Sequence, residues 1–195
     1  MSQASYVKST QQWYMSRTRI RIPLAFGNLT GLLGTCIAFL LVYYAASIQY
    51  SSIKFILYLL SIGCLIFFPH CLAHFIVGSS VKIRFKYYGV GRSSISKLAL
   101  PIRLPSLPVL TLIIDHRSFV SVSWIGRAAM YASGVIASVT MPFIVVVYTF
   151  NQLSISLWLI LLVLVIANLL FDLYYSPKFG DLSRIRRPAT SKRFE

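Results

Sequence analysis

Within FFPHCLAHFIVG (Phe67 to Gly78), His70 and His74 stand four residues apart in an otherwise apolar run. In a helix that spacing puts both imidazoles on one face, as in the zinc-binding helix H-E-x-x-H. There the two imidazoles hold the metal, and the glutamate beside the first histidine takes a proton from metal-bound water. Here Cys71 occupies the glutamate position. A thiol in apolar surroundings is a poor general base, and loss of that base costs a hydrolase about 10²–10⁴ in rate. The residue types therefore point to metal binding more strongly than to peptide-bond cleavage.

Ionisable groups within a membrane span are costly and mark a functional site by default. A helix entered at Phe55 carries His70 about 22 Å and His74 about 28 Å along its axis. A helix starting at Leu153 brings Asp172 to about 28 Å, a matching depth. Asp181 follows Pro177 and Gly180 and could fold back to the same level. Two imidazoles and one carboxylate form a zinc set with an open fourth position, and either aspartate could complete it. Plainer roles stay open. A single histidine near a helix end snorkels or bonds to a neighbouring helix. Asp172 and Asp181 could be interfacial caps or ion-pair partners of Lys178 and Arg184. Haem would require a histidine on another helix, and the third histidine, His116, lies in the middle loop.

The elements that must position these groups are membrane helices. The 195 residues are 57% hydrophobic and only 12% charged, with a mean hydropathy of +0.73. A soluble domain is about half apolar and about one quarter charged. Stretches near Leu29–Ser47, Phe55–Val77, Ala128–Phe150 and Leu153–Leu173 each reach the roughly 20 apolar residues of a spanning helix. Lys8, Arg17, Arg19 and Arg21 precede the first. Lys82, Arg84, Lys86, Arg92, Lys97, Arg103 and Arg117 separate the second from the third. Arg184, Arg186, Arg187, Lys192 and Arg193 follow the fourth, whereas the links SIQYSSIK and TFNQ carry only Lys54. The excess of cations puts both termini and the middle loop in the cytoplasm.

The net charge of +15 is then an orientation and anionic-lipid signal, and nucleic acid is an unfavoured partner. Cys36, Cys64 and Cys71 lie in apolar segments without C-x-x-C spacing and form no disulfide framework. The basic N-terminus lacks a cleavage site before Leu29 and reads as a cytoplasmic leader to a retained helix. Its Tyr6, Trp13 and Tyr14 suit interfacial anchoring. In the middle segment, VKIRFKYYGV and PVLTLIID read as short strands around the proline-punctuated PIRLPSLP. The expected fold is an all-α polytopic membrane protein. It has about four transmembrane helices and a small cytoplasmic β-hairpin-like insertion between the second and third. A basic segment (1–28), a membrane domain (29–175, with a cytoplasmic loop at 79–124) and a basic tail (176–195) make up the chain.

Three stretches together resemble the site-2 proteases, which are intramembrane zinc metalloproteases. PHCLAHFIVG running into VKIRF is similar to that family's metal helix and cytoplasmic hairpin. GRAAMYASGVIASVTMPF is similar to its third core helix, and ANLLFDLYYSPKFGDLSR to its last. The resemblance covers roughly Phe55 to Arg184. It implies zinc on His70, His74 and Asp181, with Asn168 as the family's asparagine. That asparagine and aspartate lie closer together in the family than Asn168 and Asp181 do, while Asp172 is too near, so both aspartates stay candidates. With Cys71 in the glutamate position, the resemblance implies a degenerate member that binds or regulates membrane protein segments. An active metallopeptidase using a substitute base and a non-enzymatic subunit of a larger membrane complex are the alternatives. Gly126, Ala128, Ala132, Gly134 and Ala137 line the third span, and Gly31 and Gly34 the first, where small residues permit close helix approach.

Overall fold

A computed structural model describes residues 20–92, 108–175 and 181. Along the chain run β1 (Ile20–Ile22), α1 (Leu24–Ser47), α2 (Ser51–Ser80), β2 (Phe85–Arg92), β3 (Pro108–Ile114), α3 (His116–Ser121), α4 (Trp124–Thr149) and α5 (Ile155–Tyr175). Of these, α1, α2, α4 and α5 are long and apolar enough to cross a membrane. Leu40, Ile56, Ile144 and Val163 are among the many large apolar side chains that face outward on them. Such a surface is stable against lipid and not against water. The chain is an integral membrane protein, mainly helical, with one small sheet.

Three of the four long helices begin earlier than hydropathy alone suggests, whereas α5 begins two residues later than Leu153, at Ile155. α1 starts directly after Pro23, whose φ of −54° is already helical and whose missing N–H is no loss at a helix start. α2 starts at Ser51 and runs 30 residues, about 45 Å, which is enough to reach from one headgroup layer to the other. The Ser123 hydroxyl caps α4 by accepting from the Gly126 N–H at 3.2 Å.

The expected hairpin is the core of a three-stranded antiparallel sheet of order β1-β2-β3. Ile22 pairs with Tyr88, and Tyr88 with Leu112. The third strand comes from the N-terminal segment, and Arg21 on it lies over the Tyr87 ring at 5.2 Å. The strand VKIRFKYYGV starts only at Phe85. Val81 and Lys82 instead close the end of α2, where Ile83 N–H reaches back to Gly78 O at 2.8 Å. Tyr6, Trp13, Tyr14, residues 101–107 of PIRLPSLP, and Lys178 and Arg184 of the basic tail lie outside the described residues.

α2 is the central helix, packed against α1 on one side and α4 on the other, with α5 against α4. α1 buries Gly27, Gly31, Gly34, Ala38 and Ala45, a stripe of small residues at helical spacing that lets α2 approach. A Cβ on Gly34 would overlap the Phe68 ring, whereas one on Gly63 would meet nothing within 4 Å. Gly34→Ala is therefore expected to cost about 1–3 kcal/mol through overpacking. Gly63→Ala should gain about 0.4–1 kcal/mol. Thermal midpoints of the two variants in one detergent would check the contrast.

Away from the sheet, Tyr58, Ile62 and Leu65 pack with Val145, Val146, Leu161 and Val165. Ser61 donates to Ala38 O at 2.9 Å and Trp158 to Val146 O at 2.9 Å, while Tyr58 bonds Gln152. At the sheet end, Ile83, Met130 and Tyr131 gather Phe85, Ile114 and Phe119.

Candidate metal centre

His70 and His74 lie late in α2, about 28 and 34 Å from its start. Their helix runs antiparallel to α4, so the i, i+4 histidines meet an i, i+4, i+8 row formed by Met130, Gly134 and Ser138. His74 Nδ1 is 2.6 Å from Met130 O. A carbonyl only accepts, so Nδ1 carries the proton and, in the neutral ring, Nε2 presents a lone pair. The imidazole lies over Gly134, where a Cβ would overlap Nε2. Close approach requires glycine there, in line with its reading as a small residue that lets a neighbouring helix come near.

His70 Nδ1 is 3.4 Å from the buried Ser138 Oγ. That hydroxyl has one proton and two oxygen acceptors, Val135 O at 3.1 Å and Asp172 Oδ2 at 3.4 Å. It is left to accept from His70, which turns the His70 Nε2 lone pair inward as well.

Ser138 is itself held from α5. Pro142, four residues on in α4, has no N–H to offer Ser138 O. The Asn168 side-chain amide takes its place, donating to that carbonyl at 3.2 Å. Asn168 and Asp172, one turn apart, thus reach the backbone and the side chain of a single residue.

Asp181 supplies the third inward atom. Its Oδ2 is 3.2 Å from His70 Nε2 and 3.1 Å from His74 Nε2, and the two Nε2 atoms are 3.3 Å apart. Three lone-pair atoms in so small a triangle repel unless they share a proton or a cation. Ligand atoms about 2.0–2.1 Å from a tetrahedral zinc lie about 3.3–3.4 Å apart, so the triangle suits that ion. Asp172 touches Ser138, one residue back from the triangle.

Cys71 points elsewhere, its thiol 3.7 Å from Leu110 O on β3. Beside it Tyr88 donates to Asn28 Oδ1 at 2.6 Å. Burial foremost, and then Cys71, pushes the Tyr88 phenol up, so it remains a donor. Met130 O and Ser138 were not foreseen as parts of the site. Ser138, a hydroxyl one turn before a proline in an apolar helix, was the available signal.

The geometry defines a class: a polytopic helical membrane protein with a two-histidine, one-carboxylate cluster near one end of the bundle. No family model, curated protein or solved structure matches the chain.

If a metal sits in the triangle, Asp181→Asn weakens it by removing ligand charge, whereas Asp172→Asn acts only through Ser138 and His70. The second loss should be about 10–100-fold, as for other outer-shell partners, and the first larger. Zinc titration against a competing chelator would rank the two.

Proposed function

We propose that this chain is a degenerate site-2-protease-like membrane protein. In this reading it holds zinc on His70, His74 and Asp181 and binds membrane protein segments without cleaving them efficiently. The observation that carries the reading is the 3.1–3.3 Å triangle of Nε2, Nε2 and Oδ2, each imidazole oriented by a bond from its other nitrogen. Such support of metal-bound imidazoles is general. The order of motifs along the chain adds the resemblance to the protease family. Zinc, when bound, would polarise a carbonyl or water at the open fourth position.

What the histidine motif of this chain lacks is its glutamate, replaced by Cys71. The Cys71 thiol lies against the β3 backbone, and β3 is an edge of the sheet among the described residues. An extended segment adding to that edge would gain main-chain hydrogen bonds close to the cluster. The cationic middle loop and basic ends support a cytoplasmic orientation of this face in the same reading.

The test is elemental mass spectrometry of the detergent-purified chain, beside incubation with a helical membrane substrate. About one zinc per chain and no cleavage is the expected pair of results. Cleavage would favour the active-peptidase reading, in which Asp172, at 3.4 Å from Ser138 Oγ, is the candidate substitute base. Absence of zinc would end the metal reading and favour a structural subunit of a larger complex.

A further inference from the structure

We infer that the sheet-side end of α2 binds the headgroup of an anionic phospholipid, at a site separate from the histidine cluster and independent of its metal. A groove of about 590 Å³ opens there, lined by Phe75, Ser79, Lys82, Ile83, Arg84 and Phe85. Its floor is apolar, with the Phe75 and Phe85 rings 5.6 Å apart, and its rim carries two exposed cations. Neither Lys82 nor Arg84 makes an ion pair among the described residues, whereas Lys86 nearby is engaged by Asp115 at 3.8 Å.

The backbone supports the same reading. Lys82 has a φ of 69° and is the one non-glycine residue with positive φ among the described residues. It occupies the left-handed position that closes a helix, where glycine is usual. A lysine held at a position that disfavours side chains is a strained choice of the kind found at binding sites. Depth decides the occupant. α2 is long enough for its last turns to emerge in the headgroup layer, where a phosphate can meet Lys82 and Arg84 while its acyl chain runs along Phe75. A soluble phosphate would use only the rim and leave the aromatic floor empty.

The test is native mass spectrometry of the full chain in neutral detergent, titrated with dioleoyl phosphatidylglycerol or dioleoyl phosphatidylcholine. The first phosphatidylglycerol should bind more tightly than phosphatidylcholine. Lys82→Gln with Arg84→Gln should erase the difference, by about 30-fold from roughly fivefold per cation. Lys82→Gly, which suits the turn and removes only charge, should lose about fivefold without harming the fold. Lys54→Gln, at the opposite end of α2, should change nothing. Equal binding of the two lipids would overturn the inference. So would an unchanged Lys82→Gly variant, or displacement of the lipid by millimolar inorganic phosphate.

Discussion

Alanine at His70 or His74 is expected to remove zinc from the purified chain, from about one ion to less than about a tenth of that. In the proposed reading the cluster offers three protein ligands, and each alanine leaves two. Outer-shell changes alone cost metal sites about 10–100-fold in affinity, so a lost ligand should cost at least about 10³-fold. The two positions differ in their side effects. His74 is buried against Gly134, and His74→Ala also opens a cavity, which costs stability in its own right. His70→Phe and His74→Phe keep a ring in place while removing the ligand atom, and they separate lost coordination from collapse. Zinc retained in the phenylalanine variants would refute the site, whatever the alanine variants do.

The second large effect is a gain. Cys71→Glu should raise cleavage of a helical membrane substrate by about 10²–10⁴-fold over the parent, the range that a positioned general base supplies. The position follows His70 directly, as the glutamate does in H-E-x-x-H, and the thiol there now approaches the Leu110 carbonyl at 3.7 Å. The substitution gives up that weak contact and adds bulk against β3, so some loss of stability accompanies it. Cys71→Gln adds the same bulk without a base and is the proper comparison. If Cys71→Glu cleaves no faster than Cys71→Gln while both hold zinc, the absent glutamate is not what separates this chain from an active peptidase.

The spans were legible because twenty apolar residues in a row have few other stable uses, and the histidine pair because four-residue spacing defines one helix face. Asp181 was legible only as one of two aspartates. Which of them meets the histidines depends on how the chain turns beyond α5, and neither hydropathy nor depth along a helix carries that information. β1 was hidden for another reason. Ile20–Ile22 is three residues long, too short to show alternation, and its partner strand lies two helices further on. Gly27 was missed and Gly31 and Gly34 were read as an isolated pair, although with Ala38 they form one stripe at helical spacing. Asn168 reaches Ser138 O because Pro142 frees it, and a proline's orphaned carbonyl is visible in sequence while the side chain that adopts it is not.

The sheet has a consequence for how the chain can thread a bilayer. β1 lies before the first two crossings and β2 after them, yet they are hydrogen-bonded neighbours. Ile20–Ile22 and Phe85–Arg92 must then lie on the same side, so α1 and α2 traverse together or not at all. The same parity governs the cluster, since α4 and α5 lie between His74 and Asp181. A chain that inverted any single helix would part β1 from β2 or Asp181 from the histidines. Strand pairing and the cluster thus act as two independent checks on an even number of crossings, one for each helical hairpin.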